Sequence, residues 1–204
     1  MGLRFVSYTL SSKDVPRKWS LVAFLPGCNL RCKHCHNWRL VVGEKGYIFE
    51  REVIQEASQN PIIDTVVLSG GEPTVHSPDR LRAFIERIKN RNPDVKVRID
   101  TNGYNPEVMK KLVDIVDGFA VDIKAPISNV ELYEFTTGTS KIDMGRIRES
   151  IGVADQLPLT IYRTPRYPWL LQEDIEEIRE FTDDLSSPWF LNEFFEVPSC
   201  PFNT

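Results

Sequence analysis

Three cysteines crowd the stretch GCNLRCKHCHN, at Cys28, Cys32 and Cys35, spaced C-x3-C-x2-C, while the remaining cysteine, Cys200, lies far along the chain. In a reducing compartment, thiols gathered on one short loop serve as metal ligands, because disulfides do not persist there. A single tetrahedral ion needs a fourth donor. Zinc could take one from His34, His36 or Cys200 and so close its shell. Yet zinc sites with three thiolates and an imidazole usually draw on two separated ligand pairs, and neighbouring donors at Cys35 and His36 would strain a tetrahedron. A [4Fe–4S] cube fits the spacing better: one loop caps three corners and leaves one iron open to a small molecule. On that reading Cys200 is an ordinary free thiol near a flexible terminus.

Other chemistry-bearing residues recur just after apolar runs. SGGEPT (69–74), DTNG (100–103), DIK (122–124) and Arg163 each close such a run, as the cysteines do. Taken singly, each has a bland reading. Asn102-Gly103 is a common turn dipeptide, Gly70-Gly71 could be a tight connection, and Asp122, Lys124 and Arg163 could be surface ion pairs. Their concurrence in strand order is the stronger observation, since parallel α/β folds gather ligands at the carboxyl ends of their strands.

The elements that would hold them in place are legible from periodicity. Apolar runs predict strands over 19–25, 62–69, 95–100, 118–124, 157–164 and 189–197. Between them lie helical patterns. In 78–91, Leu81, Phe84, Ile85 and Ile88 share one face; 106–116 opens on Pro106, a favoured first helical position; 170–181 places Leu171, Ile175 and Ile178 in register. Segments 51–59 and 143–154 are further helices. Six strands alternating with helices imply parallel crossovers. A closed eight-unit barrel typically needs about 250 residues, and this chain has 204. The expected fold is therefore α/β, a partial (β/α)6 TIM-like barrel in a single domain. Residues 1–18 form a lead-in, 19–197 the barrel and 198–204 a C-terminal tail.

Composition bounds the partners. A net charge of −4 and scattered Lys and Arg give no footprint for nucleic acid or anionic membrane. No stretch approaches the roughly 18 apolar residues of a membrane span, and the start lacks a secretory apolar core. The cytoplasm is the default compartment.

C-x3-C-x2-C followed by Gly-Gly-Glu-Pro resembles the signature of radical S-adenosylmethionine (SAM) enzymes. The resemblance implies a [4Fe–4S] cluster held by Cys28, Cys32 and Cys35, with SAM chelated at the open iron and cleaved reductively to a 5′-deoxyadenosyl radical. It also implies His34 beside the adenine, Gly70 and Gly71 approaching the methionine amino group, and Glu72 and Pro73 shaping that loop. Asp100, Asp122 and Lys124 fall around the ribose and methionine moieties, and Arg163 offers a fork to a carboxylate.

Further motifs, CHN (35–37), DTNGYNPEVMKKL (100–112), VDGFAVDIKAP (116–126), YEFTTG (133–138) and IYRTP (161–165), are similar to the activating proteins of glycyl radical enzymes, most of all those of anaerobic ribonucleoside-triphosphate reductase. This resemblance implies hydrogen abstraction from one glycine of a large partner enzyme, and a low-potential electron donor such as flavodoxin or ferredoxin. DVPR (14–17) and RTP (163–165) depart from the family pattern, and no insert carries cysteines for a second cluster. Two alternatives stay open: a radical SAM enzyme acting on a small molecule, as 7-carboxy-7-deazaguanine synthases do, and a non-catalytic zinc-binding module.

Overall fold

Each expected apolar run becomes a strand in the computed structural model, which describes residues 2–43 and 46–203; Met1, Glu44, Lys45 and Thr204, within the expected domain span, lie outside the described residues. In chain order the elements are β1 (Arg4–Phe5), β2 (Ser7–Ser11), β3 (Ser20–Leu25), α1 (Trp38–Val42), β4 (Ile48–Phe49), α2 (Glu50–Gln59), β5 (Thr65–Gly70), a 3-10 turn (Pro73–Val75), α3 (Pro78–Arg91), β6 (Lys96–Thr101), α4 (Pro106–Lys110), β7 (Gly118–Asp122), α5 (Val130–Thr137), α6 (Met144–Ala154), β8 (Ile161–Pro165), α7 (Gln172–Asp183) and β9 (Trp189–Asn192). The main sheet runs β2-β3-β5-β6-β7-β8-β9. β3 and β5 to β9 are parallel neighbours in sequence order, while β2 pairs antiparallel with β3. β2 and β9 are the two edges, so the sheet curls as a partial barrel without closing. β1 and β4 form a small separate ladder.

Strand pleat divides the molecule into two layers, because successive side chains point to opposite faces. Leu21, Ala23, Leu25, Val66, Leu68, Val97, Ile99, Phe119 and Val121 are buried against the helices, where Leu81, Phe84, Ile85 and Ile88 of α3 meet them. The alternate positions face the lumen. At its lower end Val22 and Val67 pack with Val15, which the segment before β3 inserts as a plug. Burying a side chain of this size contributes on the order of 2 kcal/mol. The helix-side layer is by far the larger apolar reserve.

Several expectations shift. The lead-in carries β1 and β2, strands that the apolar runs did not indicate. The helix expected over 106–116 ends at Lys110. The Lys111 carbonyl is taken by the Arg82 guanidinium at 2.5 Å, so it is drawn away from a continuing helix. The last strand stops at Asn192, not at residue 197, because the chain leaves the sheet there to cross the mouth of the barrel. α5 reads poorly from sequence since Val130, Thr136 and Thr137 are stiff, β-branched residues. Caps define it instead: the Asn129 side chain accepts from Leu132 N–H at 3.0 Å and Gly138 ends it in the left-handed conformation.

Candidate functional site

One cavity of 670 Å³ opens at the carboxyl ends of the parallel strands. Val22 and Phe24 of β3, Ser69 of β5, Asp100 of β6, Asp122 of β7, and Arg163 and Pro165 of β8 all line it. These share one parity along their strands. The register pairs Phe24 with Ser69, and Asp122 with Arg163, which sets the inward-facing groups side by side. Cys28, Cys32, His34, Cys35, Gly70, Gly71, Glu72 and Lys124 complete the wall that bears on the expected chemistry, and Leu10 and Val41 reach its rim. Pro73 does not line the cavity; it opens the 3-10 turn behind it.

The cysteine loop forms the first wall. Burial pushes the Cys28 thiol up to about 12, with the Glu72 carboxylate adding to the shift. Burial likewise pushes Cys32 and Cys35 up to about 11. Burial thus favours the protonated thiols, Lys124 opposes the shift at each, and a bound metal would have to displace their protons. Among the described residues, no three His, Cys, Asp or Glu side chains gather as ligands of a single ion.

The loop is held from outside. His34 has φ of 52°, a left-handed conformation that L-residues adopt at a cost. Its backbone N–H donates to Asn203 Oδ1 at 2.7 Å, and its ring Nδ1 accepts from Val197 N–H at 3.0 Å. The ring meets Phe194 edge-on, with centroids 5.3 Å apart. His36 Nε2 lies 3.1 Å from the Phe195 carbonyl, and the Arg31 guanidinium sits over Phe202 at 5.6 Å. Residues 194–203 are thus a strap across the cysteine loop. Cys200, expected as a thiol on a loose end, is 4% exposed and points its sulfur at the Cys32 carbonyl, 3.9 Å away. It is absent from the residues lining the cavity.

The Gly-Gly-Glu loop is the hinge between walls. A Cβ on Gly71 would fall 1.9 Å from the Gly27 carbonyl oxygen, and one on Gly70 would fall 2.4 Å from the Leu25 backbone. Gly70 also has φ of 117°. The backbone that leads into the cysteine loop is by itself enough to require glycine at both positions, which also line the cavity. Glu72 is buried and accepts from Thr74 N–H at 2.9 Å, the Thr74 hydroxyl at 2.6 Å, the Thr101 hydroxyl at 2.7 Å and Asn102 N–H at 2.7 Å. Burial pushes its carboxyl pKa up, and these donors pull it back. Glu72 ties the end of β5 to the end of β6.

The opposite wall is ionic. Asp100 accepts from Arg98 Nε at 3.0 Å and from Arg163 Nη1 at 2.9 Å. Arg163 Nη2 reaches Asp122 Oδ1 at 3.0 Å, and Asp122 Oδ2 reaches Lys124 Nζ at 3.2 Å. Burial alone would lower the Lys124 pKa, but Asp122 holds it well above the ordinary range. Burial alone would raise Asp122, yet Lys124 and Arg163 hold it below the ordinary range. The Arg163 fork, expected to be free for a ligand carboxylate, is committed to two protein carboxylates. On the cavity surface Arg163 and Lys124 face Asp100 and Asp122, while Arg98, which does not line the cavity, backs Asp100 from behind.

Sequence reading passed over several participants. Arg98, read only as part of a strand, joins Asp100 to the lead-in through the Asp14 carbonyl at 2.8 Å. Asn37 fixes the Gly70 carbonyl at 2.9 Å, and only its place beside the cysteines hinted at this. Asn102 reaches the cysteine loop. Trp169, whose ring stacks on Tyr167 at 4.9 Å and whose indole N–H donates to Thr136 at 2.9 Å, backs His34. Arg98 offered one signal, a charge set between the apolar residues Val97 and Ile99 of its strand.

The donor set suits an iron–sulfur cluster: three soft thiols on one wall, an ion-paired wall opposite, and a cavity within the size range of small-molecule sites. Comparisons with known proteins point the same way. The family description "Radical SAM superfamily" matches residues 22–185. A protein of Methanocaldococcus jannaschii, provisionally named a glycyl-radical enzyme activating enzyme, is 30% identical over 179 residues, covering 86% of this chain and 73% of its own. The anaerobic ribonucleoside-triphosphate reductase-activating protein of Haemophilus influenzae is 30% identical over 96 residues, covering 43% of this chain and 60% of its own. Among solved structures, coproporphyrinogen III oxidase of Escherichia coli superposes with a TM-score of 0.61 at 12% identity, over 89% of this chain and 45% of that one. This last likeness concerns the fold alone. The chain spans under half of that enzyme.

Proposed function

The chain belongs to the radical SAM superfamily, whose members use a [4Fe–4S] cluster and SAM, and we propose that within it the protein activates a glycyl radical enzyme. When bound, the cluster supplies one electron to the SAM sulfonium, giving methionine and a 5′-deoxyadenosyl radical. On this proposal that radical would take a hydrogen atom from the Cα of one glycine in the partner, leaving 5′-deoxyadenosine and a glycyl radical.

The chain's own residues bind, orient and exclude water. Cys28, Cys32 and Cys35 would hold three irons; Cys200 does not line the cavity, so no further thiol would compete for the fourth. The Gly70-Gly71-Glu72 loop fixes the depth of the cavity beside the thiols. Lys124 and Arg163 place positive charge where a carboxylate of the methionine moiety can lie, while Asp100 and Asp122 keep those cations aimed. His34 and Pro165 offer flat surfaces at the rim for a nucleobase. The observation that carries the reading is the meeting of three thiols, the Gly-Gly-Glu loop and the ionic wall on one cavity.

The partner proposed is anaerobic ribonucleoside-triphosphate reductase, with a low-potential donor such as flavodoxin or ferredoxin supplying the electron. The relatives' names and the run from DIKAP (122–126) to YEFTTG (133–138) support it. Thr9, Leu10 and Ser11 of the β2 edge also line the cavity, so a partner's loop has an approach beside β2. The test incubates anaerobically reconstituted protein with reductant, SAM and the reductase. A glycine-centred doublet in electron paramagnetic resonance is expected. Turnover of a small purine precursor without that doublet would overturn the assignment.

A further inference from the structure

We propose that Asn102 is a positioning residue that donates a hydrogen bond to the Cys28 sulfur and so raises the reduction potential of the cluster; this rests on the radical SAM reading above. The backbone N–H and both side-chain polar atoms of Asn102 have partners, and these fix which way its amide faces. The backbone N–H donates to Glu72 Oε2 at 2.7 Å, which locks the residue at the end of β6. The side-chain Oδ1 accepts from Tyr104 N–H at 3.0 Å. Because only an oxygen can accept that bond, Nδ2 must point the other way, across the cavity. There it donates to Asn29 Oδ1 at 2.8 Å and lies 3.7 Å from Cys28 Sγ. The amide has two hydrogens, and these are two acceptors.

Cys28 differs from its two companions in this respect. Its sulfur receives the Leu30 backbone N–H at 3.4 Å as well as the Asn102 amide. Leu30 is on the loop itself, whereas Asn102 arrives from the third parallel strand of the barrel. Hydrogen bonds to cluster sulfurs are among the terms that set iron–sulfur potentials, since they stabilise the more negative, reduced state. Glu72 gains a role here: it does not line up a ligand directly but holds the donor that meets the thiolate.

The experiment compares reconstituted wild-type, Asn102→Ala and Asn102→Asp proteins for iron content, melting temperature and midpoint potential by redox titration under electron paramagnetic resonance. Asn102→Asp keeps an acceptor for Tyr104 N–H while replacing the donor with an anion. Both variants are expected to bind iron at the wild-type ratio and to be reduced at a more negative potential, Asn102→Asp further than Asn102→Ala. Unchanged potentials at full iron content would overturn the proposal. So would loss of iron from both variants together with a fall in the apoprotein melting temperature, which would make Asn102 a folding residue. A wild-type protein that takes up no iron would remove the cluster reading itself, an outcome distinct from either.

Discussion

The two walls of the cavity are built in opposite ways. The ionic wall stands on β6, β7 and β8, where strand pleat and register alone put Asp100, Asp122 and Arg163 on one side. Its charges are already paired. The cysteine wall stands on an irregular loop with a left-handed residue at His34, and its three cysteines are free of disulfides. A sheet needs no help to hold its wall. The loop borrows support from a strap more than 150 residues away in sequence, as the contact between Val197 and His34 shows (|i−j| of 163). Rigid scaffold on one side and an adaptable, externally braced loop on the other is a sound division for a site that must take up a cluster after folding.

The comparison breaks most completely at the thiols. Cys28→Ala, Cys32→Ala or Cys35→Ala each removes one iron ligand, and SAM cleavage, measured as 5′-deoxyadenosine formed, should fall to background in all three. The apoproteins should melt near wild type, because the loop contributes little to the core.

The ionic wall should behave in reverse. Asp100→Ala strips the carboxylate from Arg98, which is 1% exposed, and from Arg163. Removing one partner of a buried pair costs about 3–5 kcal/mol. Urea unfolding of the apoprotein should show a loss of that order, unlike the cysteine variants. A loss below about 1 kcal/mol would mean that the wall is solvated and not pre-paired.

Much of this first wall was legible beforehand. Continuous apolar runs revealed the strands, and the carboxyl-end rule put their terminal residues together. What stayed hidden was pairing: nothing in the sequence says that Arg163 spends its fork on Asp100 and Asp122, because which charges neutralise one another depends on register. The bracing of the other wall was less legible still. Spacing exposed Cys28, Cys32 and Cys35, but Phe194 and Val197 read as the end of the last strand and Asn203 as tail, and a contact across so much chain leaves no local periodicity. Asn102 was concealed for a different reason. Asn-Gly is so common in turns that the turn reading, which is correct, obscured the side chain's second task.

A finer test of the strap is Asn203→Ala, which removes the acceptor of His34 N–H and the donor to the Val197 carbonyl. Two hydrogen bonds at the net value of about 1 kcal/mol or less each make the loop roughly five- to tenfold easier to open. Chelator should strip iron from the reconstituted variant faster by about that factor, with the apoprotein melting temperature nearly unchanged. The smallest effect is expected at Cys200→Ala. Its sulfur packs under the loop without reaching the cavity, so stability should drop by about 1 kcal/mol and SAM cleavage should match wild type.

The account's central claim is that three protein thiols hold the cluster and one iron awaits SAM. Electron paramagnetic resonance of the reduced, reconstituted wild-type protein, recorded before and after addition of SAM, tests it most directly. A cluster signal whose g-values change when SAM is added is the predicted result. A signal that SAM leaves untouched, or a protein that takes up no iron, would contradict it.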